Sequence, residues 1–294
     1  MKRLGWMLCV TMASATAQAA TPQSMLVKVE VRPVHLVVQG AGEPVVIFES
    51  GLGGGANDWT QVAPQIAELT TAVTYDRAGI GTSAPSRNPR TSRTIAHELH
   101  VLLRKSKIRP PYILVGHSAG GFHIRVFAHE YPGEVAGMVF VDPSVEGWWD
   151  DLAASRPPEG QLALASRRKA AAAALTGAAH EEQQAYAASE AEVRQAWPLP
   201  CVPVVLITAM NTYPGAMSTA PSERQLWFSL HSKFLARVPD ADHIVSSTAR
   251  HYVQNDQPDL VVDAIKEVLA KAKRHQFALH SRAGKAAGRR QVRC

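Results

Sequence analysis

The chain is poor in cysteine, poor in aromatics and without a long apolar run. Its three cysteines are Cys9, Cys201 and Cys294, and no Cys/His cluster has the spacing of a zinc site. No apolar stretch reaches the roughly 18 residues that a membrane-spanning helix needs, so stable membrane insertion is not expected. Aromatic residues make up 6% and are not interleaved with the basic ones, which argues against a stacking platform for nucleic acid. No G-x-x-x-x-G-K-[ST] occurs, so the glycines at 53 to 55 are not read as a phosphate loop. There is no internal repeat.

What is present is an ordinary globular balance, 46% hydrophobic and 19% charged over 294 residues. That length allows one large domain or two small ones, with a sizeable buried core. Residues 1–20 read as a signal peptide. Lys2 and Arg3 open it, Leu4 to Ala13 is mostly apolar, and Ala17-Gln18-Ala19 supplies small residues for cleavage. The expectation is export, to a bacterial periplasm or beyond. Two cysteines, Cys201 and Cys294, then remain, and thiols in an oxidising compartment can pair. The net charge of +6 is local. Eight Lys/Arg and no Asp/Glu fall between Lys271 and Cys294, which leaves 23 basic against 25 acidic residues elsewhere. Residues 275–294 therefore read as a basic, disordered tail, and nucleic acid is not expected as a partner.

Short apolar runs alternate with helical patterns along the rest. "PVVIFES", "AVTYDR", "YILVG", "VAGMVFVD" and "CVPVVLIT" read as strands, after a strand pair in "MLVKVEVRPVHLVVQG". Helical spacing covers Trp59 to Leu69, Thr94 to Lys107, Gly120 to Tyr131, Glu223 to Leu235 and Pro258 to Ala272. This order predicts an α/β fold, a mostly parallel central sheet flanked by helices. Residues 143–198 change character. They are rich in alanine, with helical patterns near Leu162 to Leu175 and Glu181 to Trp197, and read as a helical cap inserted over the sheet edge of a single domain, 21–274.

One motif stands between a strand and a helix. Gly116-His117-Ser118-Ala119-Gly120 fits G-x-S-x-G, the nucleophile elbow, in which a strained serine needs glycines around it. The helix N-terminus beneath Ser118 adds positive potential where an oxyanion would form. With "ESGLGGGANDW", "YDRAGIGTS", "LVGHSAGG", "VFVDPS" and "DHIVSSTARHYVQNDQPDLVVDAI" in this order, the sequence resembles the α/β-hydrolase family over nearly the whole mature chain.

The resemblance implies Ser118 as nucleophile, and a serine hydroxyl needs a base. The family carries its histidine ahead of the final helix, which implies His243 in "DADHIV"; His251, His231 and His117 are rivals. Most relatives place the acid after the strand that here is "VVLIT", but no carboxylate follows it before Glu223. The other site used in the family, the end of the preceding strand, implies Asp142, with Glu146 and Glu223 as alternatives. The oxyanion hole would take the backbone N–H groups of Ala119 and Leu52. Asp76 and Arg77 read as structural. Trp148, Trp149, Leu152 and Trp197 either line an acyl pocket or pack the cap. A serine rather than an aspartate at the elbow argues against the dehalogenase and epoxide-hydrolase branches. The reading is a serine hydrolase acting on a small-molecule acyl substrate, carboxylic esters first, with no cofactor and no metal. A non-catalytic binding protein or a cofactor-free lyase on the same fold is the alternative. Oligomeric state is left open.

Overall fold

The structure is a computed structural model that describes residues 21–211 and 220–283, with side-chain surroundings described as far as residue 274. The expected signal peptide, Cys9 and Cys294 lie outside the described residues.

Eight strands form one sheet. They are β1 (Gln23–Val29), β2 (Arg32–Gln39), β3 (Val45–Glu49), β4 (Ala72–Tyr75), β5 (Tyr112–His117), β6 (Val135–Val141), β7 (Val204–Ala209) and β8 (Ala241–Ser246). Their spatial order is β1-β2-β4-β3-β5-β6-β7-β8. The β1–β2 and β2–β4 pairs are antiparallel and the rest are parallel. β3, β5 and β7 are buried at every residue and β6 at nearly every one, because helices cover both faces.

The two faces separate by the strand period. Ile47, Leu114, Met138, Phe140 and Leu206 enter one core with Leu99 and Leu103 of α2 (Ser92–Lys105) and Phe122 and Val126 of α3 (Gly120–Glu130). Val46, Phe48, Ile113, Val115, Val139 and Ile207 enter the other. There they meet Ile66 of α1 (Ala63–Ala67) and Val261, Ile265 and Val268 of α10 (Pro258–Ala283). β5 lies fourth from the β8 edge, with neighbours on both sides. Whatever follows it is held by a rigid support.

Between β6 and β7 run four helices: α4 (Trp148–Ala154), α5 (Pro158–Ala174), α6 (Gly177–Gln184) and α7 (Tyr186–Gln195). α5 buries only Leu164, so the high helix propensity of its alanines, rather than packing, accounts for it. α8 (Pro221–Leu235) follows β7, and the short α9 (Val253–Asp256) precedes α10.

Three details depart from the sequence reading. The segment expected as a helix from Trp59 contains only the short α1. α10 runs on to Ala283, into the segment expected to be a loose tail. "ADHIVS" is an edge strand, paired with β7 so that His243 lies opposite Leu206. Its polar residues hid it, since an edge strand has one neighbour and leaves most side chains partly exposed.

The double-faced core sets a test. Leu114, fully buried on β5, is expected to cost about 2–5 kcal/mol when replaced by Ala. A urea titration should show the midpoint lowered at unchanged slope; an unmoved midpoint would mean that this layer is not closely packed.

Candidate active site

β5 ends at His117 and α3 begins at Gly120, so Ser118 and Ala119 alone make the turn. Ser118 has φ +51°, a left-handed conformation that costs a side-chain-bearing residue about 1–3 kcal/mol. The surroundings impose it. Ser118 N–H donates to the Val141 carbonyl (3.2 Å), and its own carbonyl accepts from Gly121 N–H (2.9 Å) and Ser144 N–H (2.8 Å). The flanking glycines are required by space. A Cβ on Gly116 would lie 2.8 Å from the Gly120 carbonyl oxygen, and one on Gly120 would collide with the Glu49 carbonyl oxygen.

The Ser118 hydroxyl meets an imidazole, and it is that of His251. His251 Nε2 lies 2.9 Å from Ser118 Oγ, and His251 Nδ1 lies 2.7 Å from Asp142 Oδ2. With Nδ1–H donated to the carboxylate, Nε2 is free to accept the serine proton. Asp142 follows β6 directly and has no solvent exposure. Its Oδ1 accepts from Ala209 N–H (3.0 Å) and Trp227 Nε1–H (2.8 Å), and Arg224 Nη1 stands 3.5 Å from Oδ2. Burial pushes the Asp142 carboxyl up, but the hydrogen bond from His251 and the charges of His251, His231 and Arg224 outweigh it. The carboxyl sits at about 2.

His243, the base expected from the sequence, is not at Ser118. It sits inside β8 rather than beyond its end. Its Nε2 is 2.7 Å from Thr208 Oγ1, and its ring stacks on Phe228 with centroids 5.2 Å apart. In open α/β sheets the reacting groups gather past the carboxyl ends of strands. β8 ends at Ser246, and His251 lies in the loop that follows, two residues before α9. The residues around His251 look helical in sequence, but the helix starts only at Val253. Recognising "DHIVS" as a strand was the available signal.

The other candidates have different partners. Glu146 pairs with Arg125 (2.6 Å) and accepts from Trp197 Nε1–H (3.1 Å). Glu223 pairs with Arg156. His231 donates from Nε2 to the Pro143 carbonyl (2.9 Å), so its Nδ1 accepts from Thr208 Oγ1–H at 2.6 Å. His117 Nε2–H donates to the His251 carbonyl (2.9 Å) and thereby holds the loop that carries His251.

Ala119 stands at the N-terminus of α3, where helical amides have no intrahelical acceptor. Leu52 stands in the loop after β3, whose neighbouring amides are occupied: Gly53 N–H by Glu182 and Gly54 N–H by the Gly51 carbonyl. Trp197 is enclosed by Arg125 (4.9 Å) and Arg237 (3.8 Å), and Trp148 packs edge-on against Trp227 at 4.7 Å. Both tryptophans thus fasten the inserted helices to the body. Among the described residues no group of His, Cys, Asp and Glu is arranged to hold a metal ion, and no helix is long and apolar enough to cross a membrane.

Strand order, serine turn and linked imidazole together define an α/β fold of the hydrolase type. The chain belongs to the α/β-hydrolase family, whose model, described as alpha/beta hydrolase fold, matches residues 44–224. It is 28% identical over 230 residues to the uncharacterized protein YqjL of Bacillus subtilis (strain 168), covering 78% of this chain and 85% of that one. It is 29% identical over 117 residues to the (lyso)-N-acylphosphatidylethanolamine lipase of Homo sapiens, covering 40% of this chain and 33% of the lipase. The fold is that of mouse alpha/beta hydrolase domain-containing protein 10, with a TM-score of 0.62 at 20% identity over 86% of this chain and 99% of that one.

Three buried imidazoles set the acid limit of this arrangement. Burial, with the charge of His251, pushes His117 down to about 3; burial, with the charge of Arg77, pushes His123 down to about 3; burial pushes His231 down to about 4. In the unfolded chain such rings protonate near 6.5. The unfolded state therefore binds more protons between about pH 6.5 and 4, and stability falls as pH falls through that window. The depressed Asp142 carboxyl adds a further loss between 3.8 and about 2. Thermal midpoints should drop steadily from about pH 7 to 4, with a shallower slope in His123→Gln. A midpoint independent of pH would mean that these rings are not kept neutral.

Proposed function

We propose that the protein is a serine hydrolase that cleaves carboxylic esters or related acyl compounds, with Ser118 as nucleophile, His251 as base and Asp142 as the acid that orients it. One observation carries the reading. Ser118 Oγ, the His251 ring and the Asp142 carboxylate are joined by consecutive hydrogen bonds of 2.9 and 2.7 Å. The strained elbow supports it, since it aims the hydroxyl away from its own backbone. The human relative's name, a lipase, is in keeping with an ester substrate.

The course follows from the geometry. Ser118 Oγ attacks the acyl carbonyl while its proton passes to His251 Nε2, and Asp142 stabilises the imidazolium that forms. The Leu52 and Ala119 N–H groups receive the oxyanion. His251 returns the proton to the leaving alcohol, and the acyl group remains on Ser118. Water deprotonated by the same imidazole then attacks the acyl carbon, the acid is released and Ser118 recovers its proton. Every atom and proton in this cycle comes from the substrate, water or the three side chains.

Turnover of p-nitrophenyl acetate and butyrate tests the assignment. Ser118→Ala and His251→Gln should each lose at least about 10^4-fold in kcat, whereas His243→Gln should stay close to the parent. Undiminished hydrolysis by Ser118→Ala would remove the mechanism. A loss confined to His243→Gln would return the base to His243. No turnover of any acyl substrate by a folded parent would favour a binding protein.

A further inference from the structure

The loop after β3 reads Ser50-Gly51-Leu52-Gly53-Gly54-Gly55. Its glycines leave the backbone many conformations and no side chains to pack. Even so, the segment is held at almost every peptide, and one buried side chain does most of the holding. Arg77, beyond the end of β4, is 2% exposed. Its Nη1 donates to Glu49 Oε1 (2.7 Å) and to the Ser50 carbonyl (2.8 Å). Its Nη2 donates to the Gly51 carbonyl (2.6 Å) and to Glu182 Oε2 (2.9 Å). Its Nε donates to Glu182 Oε1 (2.7 Å). A guanidinium has five N–H donors, and each one here has an acceptor.

Glu182 comes from α6, in the inserted helices, yet it is only 5% exposed. Besides its two-pronged pairing with Arg77, its Oε2 accepts from Gly53 N–H at 2.9 Å. The helix lies directly on the loop, for a Cβ placed on Gly53 would come within 2.8 Å of Ala179 Cβ. Gly54 N–H turns back onto the Gly51 carbonyl (3.0 Å), and Asp76 Oδ1 takes Ala56 N–H, three residues beyond Gly53, at 2.8 Å. The backbone is thus tied down at Ser50, Gly51, Gly53 and Ala56, with Leu52 between the ties.

The decisive point is covalent. The Gly51 carbonyl and the Leu52 N–H belong to one peptide unit, which is not among the cis bonds of the chain. In a planar trans peptide the oxygen and the hydrogen point in opposite directions. Drawing the oxygen onto Arg77 therefore fixes the N–H facing away from Arg77. A cation at the oxygen also polarises the amide and makes its N–H a stronger donor. Burial opposes the charge on Arg77, but Glu182 and Glu49 more than compensate and keep the guanidinium protonated.

We propose that Arg77 and Glu182 are positioning residues that orient the Leu52 N–H for the oxyanion, so that the inserted helix α6 completes the oxyanion hole from outside the sheet. The proposal rests on the reading of Ser118 as nucleophile with Leu52 as an oxyanion donor. It also means that α6 stays docked through the cycle, because lifting it would release the fork of Arg77 and the amide of Gly53 together.

The test uses the full chain with Arg77→Lys, which keeps the charge but loses the fork, and Glu182→Gln, which keeps the shape but loses the charge. Fluorophosphonate labelling carried to completion, with the modified peptide mapped, counts competent Ser118 sites. kcat for p-nitrophenyl butyrate is then expressed per labelled site and KM is read from the same curves, beside the inhibition constant of an alkylboronic acid, whose tetrahedral adduct places an oxygen in the hole. Arg77→Lys should lose about 10- to 100-fold in kcat with KM changed by less than about threefold. Glu182→Gln should lose less, and boronate affinity should fall in step with kcat. A purely structural ion pair would lower the labelled fraction and leave the per-site values alone. Both variants within about twofold of the parent per site, or losses in KM with boronate affinity unchanged, would overturn the proposal while leaving the Ser118 reading intact. If Arg77→Lys does not fold, Glu182→Gln decides on the same criteria. A parent that fluorophosphonate does not label at Ser118 would bring down both readings.

Discussion

Asp142 is a carboxylate without solvent, and a buried charge is tolerable only when hydrogen-bonded and paired. The demand organises the site. The amide of Ala209 at the end of β7, the indole of Trp227 on α8 and the ring of His251 in the loop after β8 all converge on its two oxygens. Three separate parts of the chain are thereby tied to the end of β6. The imidazole that meets Ser118 takes its orientation from this cluster, and so does the tautomer that lets Nε2 accept a proton.

A second buried charge does comparable work on the other side of the serine. Arg77 is enclosed by Glu49 of β3, Glu182 of α6 and the carbonyls of Ser50 and Gly51. One ionic cluster thus holds the imidazole at Ser118 and the other holds the glycine loop after β3. The elbow lies between them, with His117 linking its own turn to the His251 carbonyl. Strain at Ser118 persists because rigid elements surround it.

The inserted helices play two parts. α5 lies almost bare on the surface, supported by alanine propensity more than by contacts. α6 is anchored by a buried carboxylate. Trp197 between Arg125 and Arg237 fixes the far end of the insertion. The segment is therefore not uniform: α5 packs little, whereas α6 is fastened to the glycine loop after β3.

Much of this was legible in the residues. Apolar runs such as "VVIF" and "YILV" announce fully buried strands because burial on both faces removes polar alternation. The glycines at 116 and 120 announce a crowded turn, and the order of motifs announces the family. The partner of Ser118 was not legible in the same way. His243 and His251 are both histidines ahead of the last helix, and local pattern cannot separate them. What separates them is that β8 pairs with β7 along Ala241–Ser246, which places half-buried His243 within a ladder and leaves His251 past its end. Similarly, nothing near Glu182 in an alanine-rich stretch shows that it meets Arg77, 105 residues away. Local composition and periodicity determine which elements form, because propensity and strand or helix period act over a few residues. The pairing of charges and the question of which imidazole meets Ser118 depend on distant segments meeting in a solvent-free interior, and only the tertiary structure decides that.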